Sequence, residues 1–247
     1  MPRSTAPSTP KLPVFVPLVA RGFELVFDRL TRLMLAGVHV RFAPGLASRL
    51  PADRPVLLMG NHVSNWDGFL YRALQRRLRP KAVTFSVMLE RELRRLPLFR
   101  ALGGLGIKPG SATSTAAALR ATQALRRTRH DFFMSVFPQG AVYPASRRPL
   151  GFQEGVRAFA RALAPVTIVP VAIRFEHPAS LRAHAFILVG EPLHVGVGGE
   201  GCGPGGEPER DEVPSLAVLE GHVQALLETL DHELCEAGES APERFGS

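Results

Sequence analysis

Cysteine is nearly absent from this 247-residue chain: only Cys202 and Cys235 occur, both late. Two such residues build neither a disulfide framework nor a metal-ligand pattern, and they point to a reducing compartment. Long hydrophobic runs are missing too. The longest uncharged core-like stretch, Ala162–Ile173, has 12 residues, too short to cross a bilayer as a helix. The N-terminal MPRSTAPSTPKLPVFVPLVARG is a poor secretory signal, because Pro13 and Pro17 interrupt its apolar part and no clear small-residue cleavage site follows. No G-x-S-x-G occurs, which excludes a serine nucleophile on an elbow turn. His39, His130, His177, His184, His194, His222 and His232 show no ligand spacing, so no metal is expected. Acidic residues are scarce in the body of the chain: residues 1–189 hold 28 Lys/Arg against 9 Asp/Glu, whereas 190–247 hold 2 against 13. A body this basic suits an anionic partner: phosphate groups, anionic lipid, a CoA-type thioester or nucleic acid. An arginine-rich proteome with solvated surfaces would give the same count. Nucleic acid is set aside, since no recognition motif or aromatic-studded basic sheet occurs.

What the chain does have is enough apolar residue, 45%, for a substantial core, and 22 Pro and 23 Gly for many connections. Residues 1–13 are Ser/Thr/Pro-rich and expected to be disordered. Phe23, Val26, Phe27, Leu30, Leu33 and Met34 recur at helical spacing over 21–35, with Arg21, Glu24, Asp28, Thr31 and Arg32 opposite. This helix either docks on the core, the favoured reading, or rests on a membrane surface. A strand is predicted at Val56–Met59. A helix follows, capped by Ser64 or Asn65 and running to about Leu78, where Pro80 stops it. Further strands are expected at Val83–Val87, in LGGLGIKPG, and at Asp131–Phe137, Thr167–Phe175 and Phe186–Val189. Helices are expected at Thr115–Arg127 and over 152–163. Pro170 inside a strand demands an edge, an end or a bulge. The organisation read is a domain over 14–195, a Gly/Glu/Pro loop or linker over 196–214, a closing helix over 215–236 packed on the domain, and a tail over 237–247. Alternating strands and helices imply an α/β fold, a largely parallel mixed sheet with helices on both faces.

In such a sheet ligands sit where loops leave the strand ends. Three loops qualify: Asn61–Asp67, Lys108–Gly110 and Pro138–Tyr143. His62 and Asp67 are five apart, a spacing that neither a helix nor a strand would pair but that a turn can. There His62 would act as general base and Asp67 would fix its tautomer. With no Ser or Cys nucleophile at an elbow, the proton would come from a substrate hydroxyl. The plainer alternative is a buried turn histidine and a carboxylate that favours a helix start.

The wording of these loops settles more. "NHVSNWD" resembles the N-H-x-x-x-x-D block of the glycerolipid acyltransferase family, which includes lysophosphatidate acyltransferases. "VFPQGAVYPASRRPLGFQEGV" resembles its F-P-E-G-T-R block, "IVPVAI" its V-P-V strand, and "LGGLGIKPG" stands where its second block belongs. The four blocks keep the family's order over roughly 56–175. The resemblance implies an O-acyltransferase of lipid metabolism, of the phospholipid biosynthesis type, that moves a fatty acyl group from acyl-CoA or acyl-carrier protein to a lipid hydroxyl. It implies no other cofactor. It makes His62 and Asp67 catalytic and assigns substrate binding to Lys108, Pro138, Gln139, Gly140, Arg147 and Arg148. The implied location is cytoplasmic, peripheral at the inner face of the membrane. The family's glutamate is replaced by Gln139, its arginine by Val142, and the second-block arginine is missing, with Lys108 nearby. These positions help hold a phosphorylated glycerol in the family, so lysophosphatidate is not the expected acceptor. A non-catalytic acyl-lipid-binding relative and a thioesterase are the alternatives.

Overall fold

The computed structural model describes residues 12–196 and 212–245. The disordered segment expected at 1–13 and the linker expected at 196–214 fall almost wholly outside them. Besides two short 3-10 helices, Leu46–Arg49 and Gly238–Ser240, the described residues form eight strands and eight α-helices, in order α1 (Pro17–Met34), β1 (Gly37–Phe42), β2 (Val56–Gly60), α2 (Asp67–Leu78), β3 (Val83–Leu89), α3 (Glu90–Arg95), α4 (Leu98–Ala101), β4 (Gly104–Ile107), α5 (Ala112–Thr128), β5 (Phe132–Val136), α6 (Gly155–Leu163), β6 (Val166–Glu176), β7 (His184–Val189), β8 (Leu193–Val195), α7 (Leu216–Ala237) and α8 (Ala241–Phe245).

The strands form one sheet in the order β1-β7-β6-β2-β5-β3-β4, with β8 beside β6. β2 through β6 run parallel, whereas β7 and β8 pair antiparallel with β6, and β1 pairs parallel with β7. The sheet is thus mostly parallel and mixed, as expected for this α/β chain. Central strands β2 and β5 are buried at every residue, which is why they read as continuous apolar runs rather than alternating ones. Leu57 and Met59 join one core, with Val156, Phe159, Val223 and Leu227 of α6 and α7. Val56 and Leu58 join the other, with Leu70, Tyr71 and Leu74 of α2.

Local chemistry sets the helix ends. Ser111 and Ser215 cap α5 and α7, accepting from the N–H of Ser114 and Val218. The cap expected for α2 is corrected: Trp66 stands at that position with no side-chain bond, and the Ser64 hydroxyl accepts from the Trp66 N–H inside the turn. Asp67 opens the helix and turns back to the turn amides instead. Pro170 is also corrected, for it lies in an interior strand. β8 pairs with β6 up to Ile168 and β7 from Val171, so the proline sits where the neighbour changes. Its carbonyl still accepts from the Gly190 N–H at 2.9 Å. The residues read as a tail carry α8, with Ala241 and Phe245 buried, and Phe245 meets Phe186 edge-on.

The α1 helix departs most from its expected orientation. Phe23 and Phe27 do dock, stacking on Phe69 with centroids 5.5 and 4.2 Å apart. Glu24 and Asp28 are only partly exposed; they pair with Arg72 and Arg76 of α2 at 2.8 Å each. Val26, Leu30, Leu33 and Met34 are exposed instead. The aromatic stack and the two ion pairs thus occupy the face of α1 that meets α2. No helix among the described residues is long and apolar enough to cross a membrane.

Candidate active site

The C-terminal ends of β2, β5 and β6 bring the first and third loops together. Asn61, the first residue beyond β2, is buried and makes two bonds to β6: its Nδ2 donates to the Ile173 carbonyl, and its Oδ1 accepts from the Ile173 N–H, both at 2.9 Å. This amide fixes where the chain leaves the sheet. In the sequence, the only signal for Asn61 is its place before His62 in the N-H-x-x-x-x-D block.

His62 follows. Its Nδ1 lies 2.8 Å from Asp67 Oδ2. The same oxygen accepts from the N–H of Val63 at 2.7 Å and of Ser64 at 2.9 Å. Asp67 is fully buried, while the His62 side chain keeps 20% exposure. The carboxylate therefore orders the turn and the ring together. It also assigns the proton to Nδ1, because an ionised carboxylate can only accept. The remaining ring nitrogen, Nε2, keeps an acceptor lone pair. The ring lies flat on Phe137, with centroids 4.3 Å apart and planes 16° apart, and Tyr71 backs Phe137 at 4.8 Å. Tyr71 is fully buried, one helical turn after Asp67, and its hydroxyl has no hydrogen-bond partner among the described residues. Burial, and then the Asp67 charge, hold its phenol well above the ordinary range, so it is neutral.

The third loop meets the first through main chain and one amide. The Tyr143 N–H donates to the His62 carbonyl at 2.9 Å. Gln139 is buried; its Oε1 accepts from the His62 N–H at 2.7 Å, and its Nε2 donates to the Leu150 carbonyl at 3.0 Å. Gln139, expected to bind substrate, is thus turned inward as a brace between the two loops. Pro138 is buried as well, and its carbonyl accepts from the Gln153 N–H. Gly140 has φ +71°, which a side chain rarely adopts, and an added Cβ would lie 2.9 Å from Gln153 Nε2.

The basic candidates separate. Arg147 lays its guanidinium over the Tyr143 ring, 3.6 Å from the centroid, which keeps a cation beside the segment bonded to His62. Arg148 is drawn the other way: it donates to the carbonyls of Ala145 and Arg147 and to Asp231 of α7. Lys108 is exposed in the turn after β4. No group of three His, Cys, Asp or Glu that could hold a metal occurs among the described residues.

A family model described as Acyltransferase matches residues 46–174, more than half of the chain. The chain belongs to the glycerolipid acyltransferase family. The matched span of this acyltransferase runs from the turn before β2 nearly to the end of β6 and contains all four blocks, both loops and the His62–Asp67 pair. Closing helix α7, which holds Arg148, lies beyond it. No curated protein matches the chain. Acyl transfer is therefore its general function.

Proposed function

We propose that this acyltransferase moves a fatty acyl group from a thioester, acyl-CoA or acyl-carrier protein, to the hydroxyl of a lipid other than lysophosphatidate. The observation that carries the reading is the His62 Nδ1–Asp67 Oδ2 contact of 2.8 Å on a partly exposed ring. Nε2 takes the proton of the acceptor hydroxyl as its oxygen attacks the thioester carbonyl. The carbonyl becomes a tetrahedral oxyanion, which collapses by breaking the C–S bond. The imidazolium then gives its proton to the departing sulfur, while buried Asp67 stabilises the positive ring between the two transfers. The acceptor reading rests on Gln139 and Val142, which replace an acid and a base. Gln139 is neutral and occupied by main chain, and Val142 is exposed. Arg147, and Lys108 from the turn after β4, are the cations proposed to meet an anionic headgroup or the phosphates of the donor. The protein would work peripherally, at the inner face of the cytoplasmic membrane.

The test is incubation of purified protein with labelled acyl-CoA and with acyl-carrier protein, each with and without a lipid extract. A new acylated lipid that disappears with His62→Ala is the expected result. Release of free fatty acid without any acceptor would show a thioesterase, and binding of acyl-CoA without turnover a non-catalytic relative. Lipid profiling of a deletion strain and its complement names the acceptor; phosphatidate as the missing product would overturn the acceptor reading.

A further inference from the structure

The chemistry described so far uses one oxygen of Asp67. Oδ2 takes the imidazole N–H and two amides, whereas Oδ1 is buried and accepts nothing among the described residues. A buried carboxylate with a bare oxygen is costly, and such a group relieves the cost by taking up a proton. That would disable the dyad. A protonated Asp67 would donate to Nδ1, the ring hydrogen would sit on Nε2, and Nε2 could then accept nothing. The working form therefore calls for a second donor to the carboxylate.

One donor stands close. Tyr71 lies one turn after Asp67 on α2, and a helical side chain leans back over the turn before its own. Tyr71 is fully buried, and its hydroxyl is also without a partner among the described residues. Burial first, and the Asp67 charge second, keep the phenol protonated and so able to donate. The ring packs on Phe137, with centroids 4.8 Å apart. Gly60 leaves room for the phenol oxygen, since a Cβ there would lie 2.2 Å from it. The Val171 carbonyl borders the same spot, 2.1 Å from that Cβ. A donor and an acceptor, both shut off from solvent and both unpartnered, thus stand on consecutive turns of one helix.

We propose that the Tyr71 hydroxyl and Asp67 Oδ1 are joined through one buried water, and that this link makes Tyr71 a positioning residue that keeps Asp67 ionised and the ring proton on Nδ1. The two atoms make no direct hydrogen bond, so the link needs an intermediary. A water accepts from the phenol and donates to Oδ1, and the Val171 carbonyl beside the phenol offers its second hydrogen an acceptor. The inference rests on the general-base reading given above and names the group that sustains the base. The other titratable groups near the dyad come from the loop after β5: Tyr143, whose N–H donates to the His62 carbonyl, and Arg147, which lies over the Tyr143 ring. β2 and β6 bring Gly60, Val171 and Ile173, with Asn61 just beyond β2, and none of these titrates.

The experiment is Tyr71→Phe, which keeps the ring against Phe137 and removes only the hydroxyl. Without its donor the dyad takes up an extra proton more readily, so the acidic limb of kcat should move to higher pH by about one pH unit. Below the limb, turnover should then be about tenfold lower than wild type, while on the plateau kcat and KM stay within about twofold. A purely structural role would lower turnover evenly across pH. Nitrogen NMR titration of the His62 ring, in protein without substrate, should show the same displacement and needs no turnover. A high-resolution crystal structure of the wild-type protein should show one water within hydrogen-bond distance of the phenol oxygen and Asp67 Oδ1. A pH profile and ring titration that Tyr71→Phe leaves in place overturn the inference, as does a phenol bonded to the Val171 carbonyl with no water shared with Asp67. Either result leaves the general-base reading standing as long as His62→Ala is inactive; an active His62→Ala overturns that reading and the role of Tyr71 with it.

Discussion

One carboxylate oxygen does three things in this molecule. Oδ2 of Asp67 receives the imidazole N–H and two consecutive main-chain amides, so the turn and the ring share one anchor. Hydrogen bonds to a charged group contribute roughly 1.5–3 kcal/mol each. Asp67→Asn should therefore lower both kcat, by about 10²-fold or more, and stability, by about 2 kcal/mol, read by turnover and by chemical denaturation. His62→Ala should lose about 10²–10⁴-fold in kcat with little change in stability, since the ring is partly exposed. Gln139→Glu restores the residue type of the family's block, yet it should destabilise by about 1–3 kcal/mol, because a carboxylate would face the Leu150 carbonyl where Nε2 now donates. Urea titration of the purified variant checks this. The spacing of His62 and Asp67 was readable from sequence because only a turn can close it. The inward role of Gln139 was not: its length and polarity fit a ligand contact and an internal brace equally well, and only the position of Leu150 decides.

At the scale of elements, the end of β2 admits no side chain. A Cβ on Gly60 would collide with the Val171 carbonyl and the Tyr71 hydroxyl, one of them rigid backbone. Gly60→Ala should cost about 2 kcal/mol or more and reduce kcat, because the displaced strand end carries Asn61 and His62; thermal melting and turnover measure the two effects. A titratable contact joins β1 to β7, where His39 Nε2 and His184 Nδ1 are 2.9 Å apart. Burial, and then the neighbouring His39, hold the His184 pKa below its ordinary value. The native state thus prefers neutral His184, so its contribution is complete above the unfolded pKa of about 6.5 and is lost as pH falls through and below it. Melting temperature should drop on acidification from neutral, and His184→Gln should flatten that drop. The long helices were legible from their apolar periodicity, and the buried strands from their unbroken apolar runs. Strand β1, with only one buried residue among six, carries no such period. The orientation of α1 was misread for a related reason: periodicity identifies two faces and does not say which one a partner helix takes.

Across the whole molecule, charge explains how the closing helix is fastened. The basic body and the acidic end were evident in the sequence as a contrast, but not as contacts. In the fold, Asp231 pairs with Arg174 and Arg148, Glu233 with Arg41, and Glu220 accepts from the N–H of Gly151 and Phe152. Arg174 is 8% exposed, so Asp231→Ala leaves a nearly buried cation without its carboxylate. The expected loss is about 3 kcal/mol by denaturant titration, with faster proteolysis between residues 144 and 153. Leu219, Val223, Leu227 and Leu230 of the same helix are fully buried in the core it shares with the sheet. The recognisable signature nevertheless stops at residue 174. A chain cut back to its signature blocks would keep every residue of the catalytic turn, yet expose a wet apolar sheet face and strand a guanidinium. The length that folds exceeds the length that can be recognised, because α7 completes the core from beyond the matched span.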